Sequence, residues 1–180
     1  MANTKNTKVV DEKNNDPIEE AVEVRAPRIQ AKDIDPTQTI MVRNGYHGRL
    51  IYKSKRTGEV IKWDGFNDEQ EMELRELRNA KSASKSFFSN NWFMFDNDNE
   101  WVIDYLGLNQ YYKYALKIDD IDALFSKPAS EIKKVVPKLS AGQKKTVEYR
   151  ARTLISEGQI DSLNIIHTLE EVLDTDLIEK

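Results

Sequence analysis

The chain has no cysteine among its 180 residues. That absence removes disulfides, thiolate nucleophiles and cysteine-based zinc or iron–sulfur sites together, and it agrees with synthesis in a cytoplasm. Histidine is scarce as well: only His47 and His167 are present, in different regions. Zinc would need both brought together with a carboxylate, and a Ser–His nucleophile would need a geometric partner that spacing does not supply. His47 reads as a turn residue and His167 as a helix-surface residue. The seven glycines are spread singly, so there is no glycine-rich phosphate loop. No apolar run approaches the roughly 20 residues that span a bilayer. The opening Met-Ala-Asn-Thr-Lys lacks the apolar stretch of a secretory signal. The expectation is a soluble, non-enzymatic protein with no cofactor, no metal and no membrane partner.

Residues 1–38 lack aromatic side chains altogether and contain three of the five prolines, Pro17, Pro27 and Pro36. Such a segment cannot bury enough apolar surface to offset its own ordering entropy. It reads as an extended N-terminal arm that takes a fixed shape only against another surface, in a second subunit or in the body of the protein. Ile18, Val22, Val24, Ile29 and Ile34 are its candidate partner-binding side chains.

Net charge is −4, which argues against a general electrostatic preference for nucleic acid or anionic membrane. Locally the balance is uneven. Residues 127–152 hold eight Lys and Arg against two Glu, whereas residues 153–180 hold seven acids against Lys180.

Past the arm the pattern changes to α+β. Thr39–Arg43, Gly48–Lys53 and Glu59–Trp63 are β-prone runs. Asn44-Gly45 between the first two is a strong hairpin signal, because both residues tolerate positive φ. Gly58 suits the left-handed position of a longer hairpin loop. A three-stranded antiparallel meander over residues 39–63 is therefore expected, with a helix packed on it, since three strands alone are marginal. That helix is expected to start at Asn67 and Asp68, with Gln70 completing a capping box and Glu71–Arg75 as an i,i+4 pair. All three Trp and fourteen of the sixteen aromatics lie between residues 46 and 114, which places the main core there.

From residue 119 onward only helices are expected. Pro128 and Pro137 bracket one helix, Ser140 caps a longer one closed by Gly158, and Asp161 caps the last. The organisation expected is an arm over 1–38, a small α+β body with an aromatic core over 39–117, and a helical part over 118–180.

Two constellations could carry chemistry. Asp96, Asp98 and Glu100 match the first odd-position acids of a calcium loop, but position six is Trp101 rather than Gly and position twelve is Gly107 rather than Glu. A surface turn is the better reading. Residues 139–173 have helix-turn-helix spacing, and Lys144, Lys145, Arg150 and Arg152 could contact nucleic acid. In that motif the second helix enters the groove, and here it carries Asp161, Glu170, Glu171 and Asp174. A helical hairpin docked on a neighbour is preferred, with DNA binding or transcription regulation as the alternative.

The run Gly48-Arg49-Leu50-Ile51-Tyr52, Thr57-Gly58-Glu59, Trp63-Asp64, Asp68-Glu69-Gln70-Glu71-Met72, Phe87-Phe88 and Asn91-Trp92 resembles small proteins encoded among the virion genes of tailed bacteriophages. So does the later stretch Leu139-Ser140, Gly142-Gln143, Arg150-Ala151, Leu154-Ile155 and Ile160-Asp161-Ser162. The resemblance covers residues 39–180 and carries no motif with an assigned role. It implies a structural or assembly component of a phage head, neck, tail or baseplate. Its partners would then be other virion proteins or copies of itself in a multi-subunit assembly, and its location the virion, after synthesis in the host cytoplasm.

Overall fold

Alternation of apolar and polar residues in Thr39-Ile-Met-Val-Arg-Asn44 buries Ile40, Val42 and Asn44 on one face, and this strand organises the first half of the protein. In the computed structural model, which describes residues 34–178, β1 (Thr39–Asn44) is the centre of a three-stranded antiparallel sheet. It pairs with β4 (Glu69–Glu73) on one side and with the two-residue β5 (Phe93–Met94) on the other. A separate antiparallel hairpin is formed by β2 (Leu50–Lys53) and β3 (Val60–Trp63). The mixed α+β class holds, but the expected β1–β2–β3 meander does not form.

The reason lies at Asn44-Gly45. Asn44 is fully buried, and its side-chain amide donates to the carbonyls of Gly48 (2.8 Å) and Gly65 (2.6 Å) while its Oδ1 accepts from the Tyr46 amide. A residue committed to three such bonds inside the protein cannot serve an exposed two-residue turn. Gly45 is needed for closeness rather than for positive φ: a Cβ there would lie 2.2 Å from the Asn91 carbonyl oxygen. The second hairpin expectation is met, with Gly58 at φ +77° closing the β2–β3 loop.

The acid-rich segment expected to begin a helix at Asn67 is instead β4. Glu69, Gln70, Glu71 and Glu73 stay at least partly exposed while Met72 is buried against β1, an edge strand dressed with charge. Asp68 uses its carboxylate to accept the Asp64 amide, so the capping signal closes a turn. Helix α1 (Leu74–Ala83) starts five residues later than its acids suggest, and Arg75 pairs with Glu73 rather than Glu71. Pairing with β1 has overridden local helix propensity.

Short helices α2 (Ser86–Ser89), α3 (Trp101–Tyr105) and α4 (Asn109–Tyr112) complete the first core. Its fully buried members include Tyr52, Trp63, Leu77, Phe88, Phe93 and Leu108, with Phe93 meeting four other rings at centroid separations of 4.7–5.8 Å. The Trp63 indole donates to the Val42 carbonyl (2.9 Å), which fastens the β2–β3 hairpin to the central strand.

Helices α5 (Ile118–Ala123), α6 (Ala129–Val135), α7 (Ala141–Ser156) and α8 (Leu163–Leu173) enclose a second core of Ile121, Ile132, Val147, Ala151 and Leu169. Ser140 caps α7 by accepting the Gln143 amide, and Gly158 closes it at φ +72°. The cap of α8 is Ser162 rather than Asp161, without a side-chain bond.

The two cores meet at the first turns of α7. Gln143, fully buried, accepts the Leu116 amide and donates to the Leu116 carbonyl, while Thr146 donates to the Gly45 carbonyl at 2.8 Å. Gly142 makes that approach possible. A Cβ at Gly142 would lie 2.2 Å from the Asn90 carbonyl oxygen and 2.9 Å from Trp92 Nε1. Gly142→Ala should therefore lower stability by about 1–3 kcal/mol in urea unfolding, the usual range for overpacking. Gly65→Ala, which faces open space, should change it by much less.

Candidate functional site

Four features of the described residues have the chemistry of a site: an arginine-centred cleft, a buried carboxylate, a stacked histidine and an apolar groove. The first three draw on sequence-distant residues, the groove on residues 100–113.

Arg43 leaves β1 and reaches the turn after β5 and the first turn of α5. Its guanidinium contacts Asp96 (2.7 Å), Asp119 (3.2 Å) and Glu69 (3.5 Å), and also takes the side-chain oxygen of Asn67, with only 12 % of the side chain exposed. Arg43, Asp96 and Asp119 border a cleft of about 380 Å³ that is also lined by Asp98, Lys117 and Ile118. Of the calcium-like acids Asp96 and Asp98 fall here, and protein cations already meet two of the three: Asp96 is held by Arg43 and Glu100 by Lys117 (3.5 Å). Among the described residues no group of three or more His, Asp or Glu side chains converges on a metal position. The cleft is a charge-paired knot that ties β1, β4 and the approach to α5.

Glu76 on α1 is the buried carboxylate. Tyr52 donates to it at 2.6 Å, Asn79 at 3.1 Å and Arg56 at 3.3 Å. Burial alone would push its pKa up, but the donors prevail and hold it below the ordinary carboxylate value. The same contact, after burial, drives the Tyr52 phenol well above its usual pKa. The network pins the β2–β3 hairpin to α1. Composition gave no sign of Glu76, because a lone Glu in a helix reads as solvated surface.

His47 is not a free turn residue. Its ring stacks on Tyr149 of α7 (5.0 Å between centroids) and lies 4.1 Å from Tyr46, with Nδ1 buried and without a partner among the described residues. Burial lowers its pKa, opposed by Glu148 and assisted by Lys145. His167 is exposed on α8, as the pattern suggested, 3.1 Å from Glu170.

The groove lies between α3 and α4. It measures about 680 Å³ and is lined by Trp101, Ile103 and Tyr112, with Glu100, Asp104 and Lys113 at its rim. The aromatic density of this stretch was read from the sequence as core. Only the fold shows that Trp101 and Ile103 stay half-buried at the surface.

Of the arm residues, Ile18, Val22, Val24 and Ile29 lie outside the described residues. Ile34 is partly buried against the first core of its own chain. Among the basic residues of α7, Arg150 pairs with Asp122 (2.5 Å) and lies 5.6 Å from the Phe66 ring centre. Arg152 and Lys145 both meet Glu148 (3.2 and 2.8 Å). Lys144 alone of the four has no carboxylate partner among the described residues. No helix among those residues is long and apolar enough to cross a membrane.

The chain matches no protein-family model, no curated protein and no solved structure.

Two tests follow from the charges. Tyr52→Phe should cost about 1–3 kcal/mol at neutral pH, since it strips a donor from a buried carboxylate. The acid sensitivities are separable in pH. His47 and Glu76 both have lowered folded-state pKa values, so each contributes stability above its unfolded value that disappears as pH falls through the folded one. The His47 contribution starts to fall near its ordinary value of 6.5, and that of Glu76 near 4.5. His47→Phe should flatten the upper part of the stability-versus-pH curve, and Glu76→Gln the lower part.

Proposed function

We propose that the chain is a non-enzymatic structural or assembly component of a bacteriophage particle, binding neighbouring subunits through its N-terminal segment and its helical region. The observation that carries this reading is the α3–α4 groove. Its half-buried Trp101, Ile103 and Tyr112, ringed by charged residues, have the apolar centre and polar rim of a protein-binding surface. The buried charges add support from the other side: Arg43 and Glu76 are saturated by internal partners and serve to join elements. The resemblance of residues 39–180 to virion proteins supplies the setting, and other virion proteins or further copies of the chain are the partners it implies.

A DNA-contacting role for residues 139–173 has weaker support, because Lys145, Arg150 and Arg152 spend their charge on Glu148 and Asp122.

Deleting residues 1–36 should prevent incorporation of the chain into particles while leaving its far-ultraviolet circular dichroism per residue characteristic of a folded body. Particles that form normally and hold the truncated chain at full occupancy would contradict the proposal. Trp101→Ala combined with Ile103→Glu should weaken incorporation on its own.

A further inference from the structure

The outward face of the β2–β3 hairpin is unusual for exposed sheet. The register sets Ile51 opposite Lys62 and Lys53 opposite Val60, and all four side chains point away from buried Leu50, Tyr52 and Trp63. Ile51 and Val60 are 51 % and 45 % exposed. Residues 49–62 contain five basic residues, Arg49, Lys53, Lys55, Arg56 and Lys62, against the single acid Glu59, within a chain whose net charge is −4. Arg49 and Arg56 have carboxylate partners in Asp64 and Glu76. Lys53, Lys55 and Lys62 have none among the described residues. Among the described residues both strands pair only with each other, which leaves the hairpin an edge without a strand partner there.

One segment of this chain complements that face in both charge and side-chain type. Residues 16–24 (Asp-Pro-Ile-Glu-Glu-Ala-Val-Glu-Val) contain four acids, no base, and the aliphatic residues Ile18, Val22 and Val24. Val22-Glu23-Val24 has the period-two alternation of a strand, which suits addition to a sheet. The acids of α8 compete poorly for the role, since Glu171 is taken by Lys133 and Glu170 by His167 and the Leu177 amide. Ile34 lies ten positions after Val24, a reach of about 35 Å at full extension.

We propose that residues 16–24 of one copy lie on the outward face of the β2–β3 hairpin of a second copy, aliphatic on aliphatic and carboxylate on lysine. This rests on the reading of the N-terminal segment as a bridge between subunits and specifies what it bridges to.

The test is carbodiimide cross-linking of full-length chains, light and ¹⁵N-labelled in equal amounts, mapped by mass spectrometry. Links from Glu19, Glu20 or Glu23 to Lys53, Lys55 or Lys62 that join a light chain to a heavy one are expected. Those links found only within one chain overturn the proposal, as does a chain that cross-links to no second copy. Light-to-heavy links from residues 16–24 to other lysines overturn the hairpin assignment while leaving the bridging segment of the proposed function standing. Independently, Lys53→Glu, Lys55→Glu and Lys62→Glu together should weaken self-association by about tenfold at low salt. Adding Glu19→Lys, Glu20→Lys and Glu23→Lys should restore it. Association unchanged by the first set overturns the proposal.

Discussion

Everything in this protein turns on how closely the first turns of α7 can approach the loop that follows β1 and the residues before β5. Backbone reaches backbone there with no room for a methyl group at Gly142 or Gly45. The Thr146 hydroxyl is paired across the seam with the Gly45 carbonyl and the Gln143 amide beside it with Leu116, whereas His47 Nδ1, Asn91 Oδ1 and Trp92 Nε1 are buried without a partner among the described residues. An unpaired amide or hydroxyl in so dry a place would cost on the order of 1–3 kcal/mol. The pairing therefore fixes a single relative position of the two cores. His47 stacked on Tyr149 and Arg150 over the Phe66 ring extend the same seam outward.

Charge inside the fold is used for joining elements. Arg43 collects carboxylates from β4 and from the turns after β5 and at the start of α5; Glu76 collects a tyrosine, an asparagine and an arginine from the hairpin and from its own helix. Such clusters look like catalytic constellations when only the residue types are considered. Their geometry shows the charges of Arg43 and Glu76 already answered by neighbours. What the surface offers instead is apolar: a groove at α3–α4 and the aliphatic pair Ile51 and Val60 on a basic hairpin.

The class, the helical second half and several boundaries were legible in the sequence because they rest on local signals. Ser140 caps α7, Gly158 ends it, Gly58 closes a hairpin, and the aromatic stretch does build the first core. The strand pairing was not legible. Asn44-Gly45 has the local chemistry of a turn, and only burial of Asn44 among Gly48, Gly65 and Tyr46 removes it from that role. Residues 69–73 have the acids of a helix start, and only the exposed edge of β1 turns them into a strand. The sites follow the same division. Arg43 meets Asp119, 76 positions away, Glu76 meets Tyr52, 24 positions away, and His47 stacks on Tyr149, 102 positions away, separations no local pattern encodes.

If the seam at α7 couples the two cores as its geometry requires, they unfold as one cooperative unit. Differential scanning calorimetry of the full chain measures this directly. A single transition whose calorimetric enthalpy equals its van't Hoff enthalpy is the expected result. Two resolved transitions, one for the aromatic core and one for the helical core, would contradict the account.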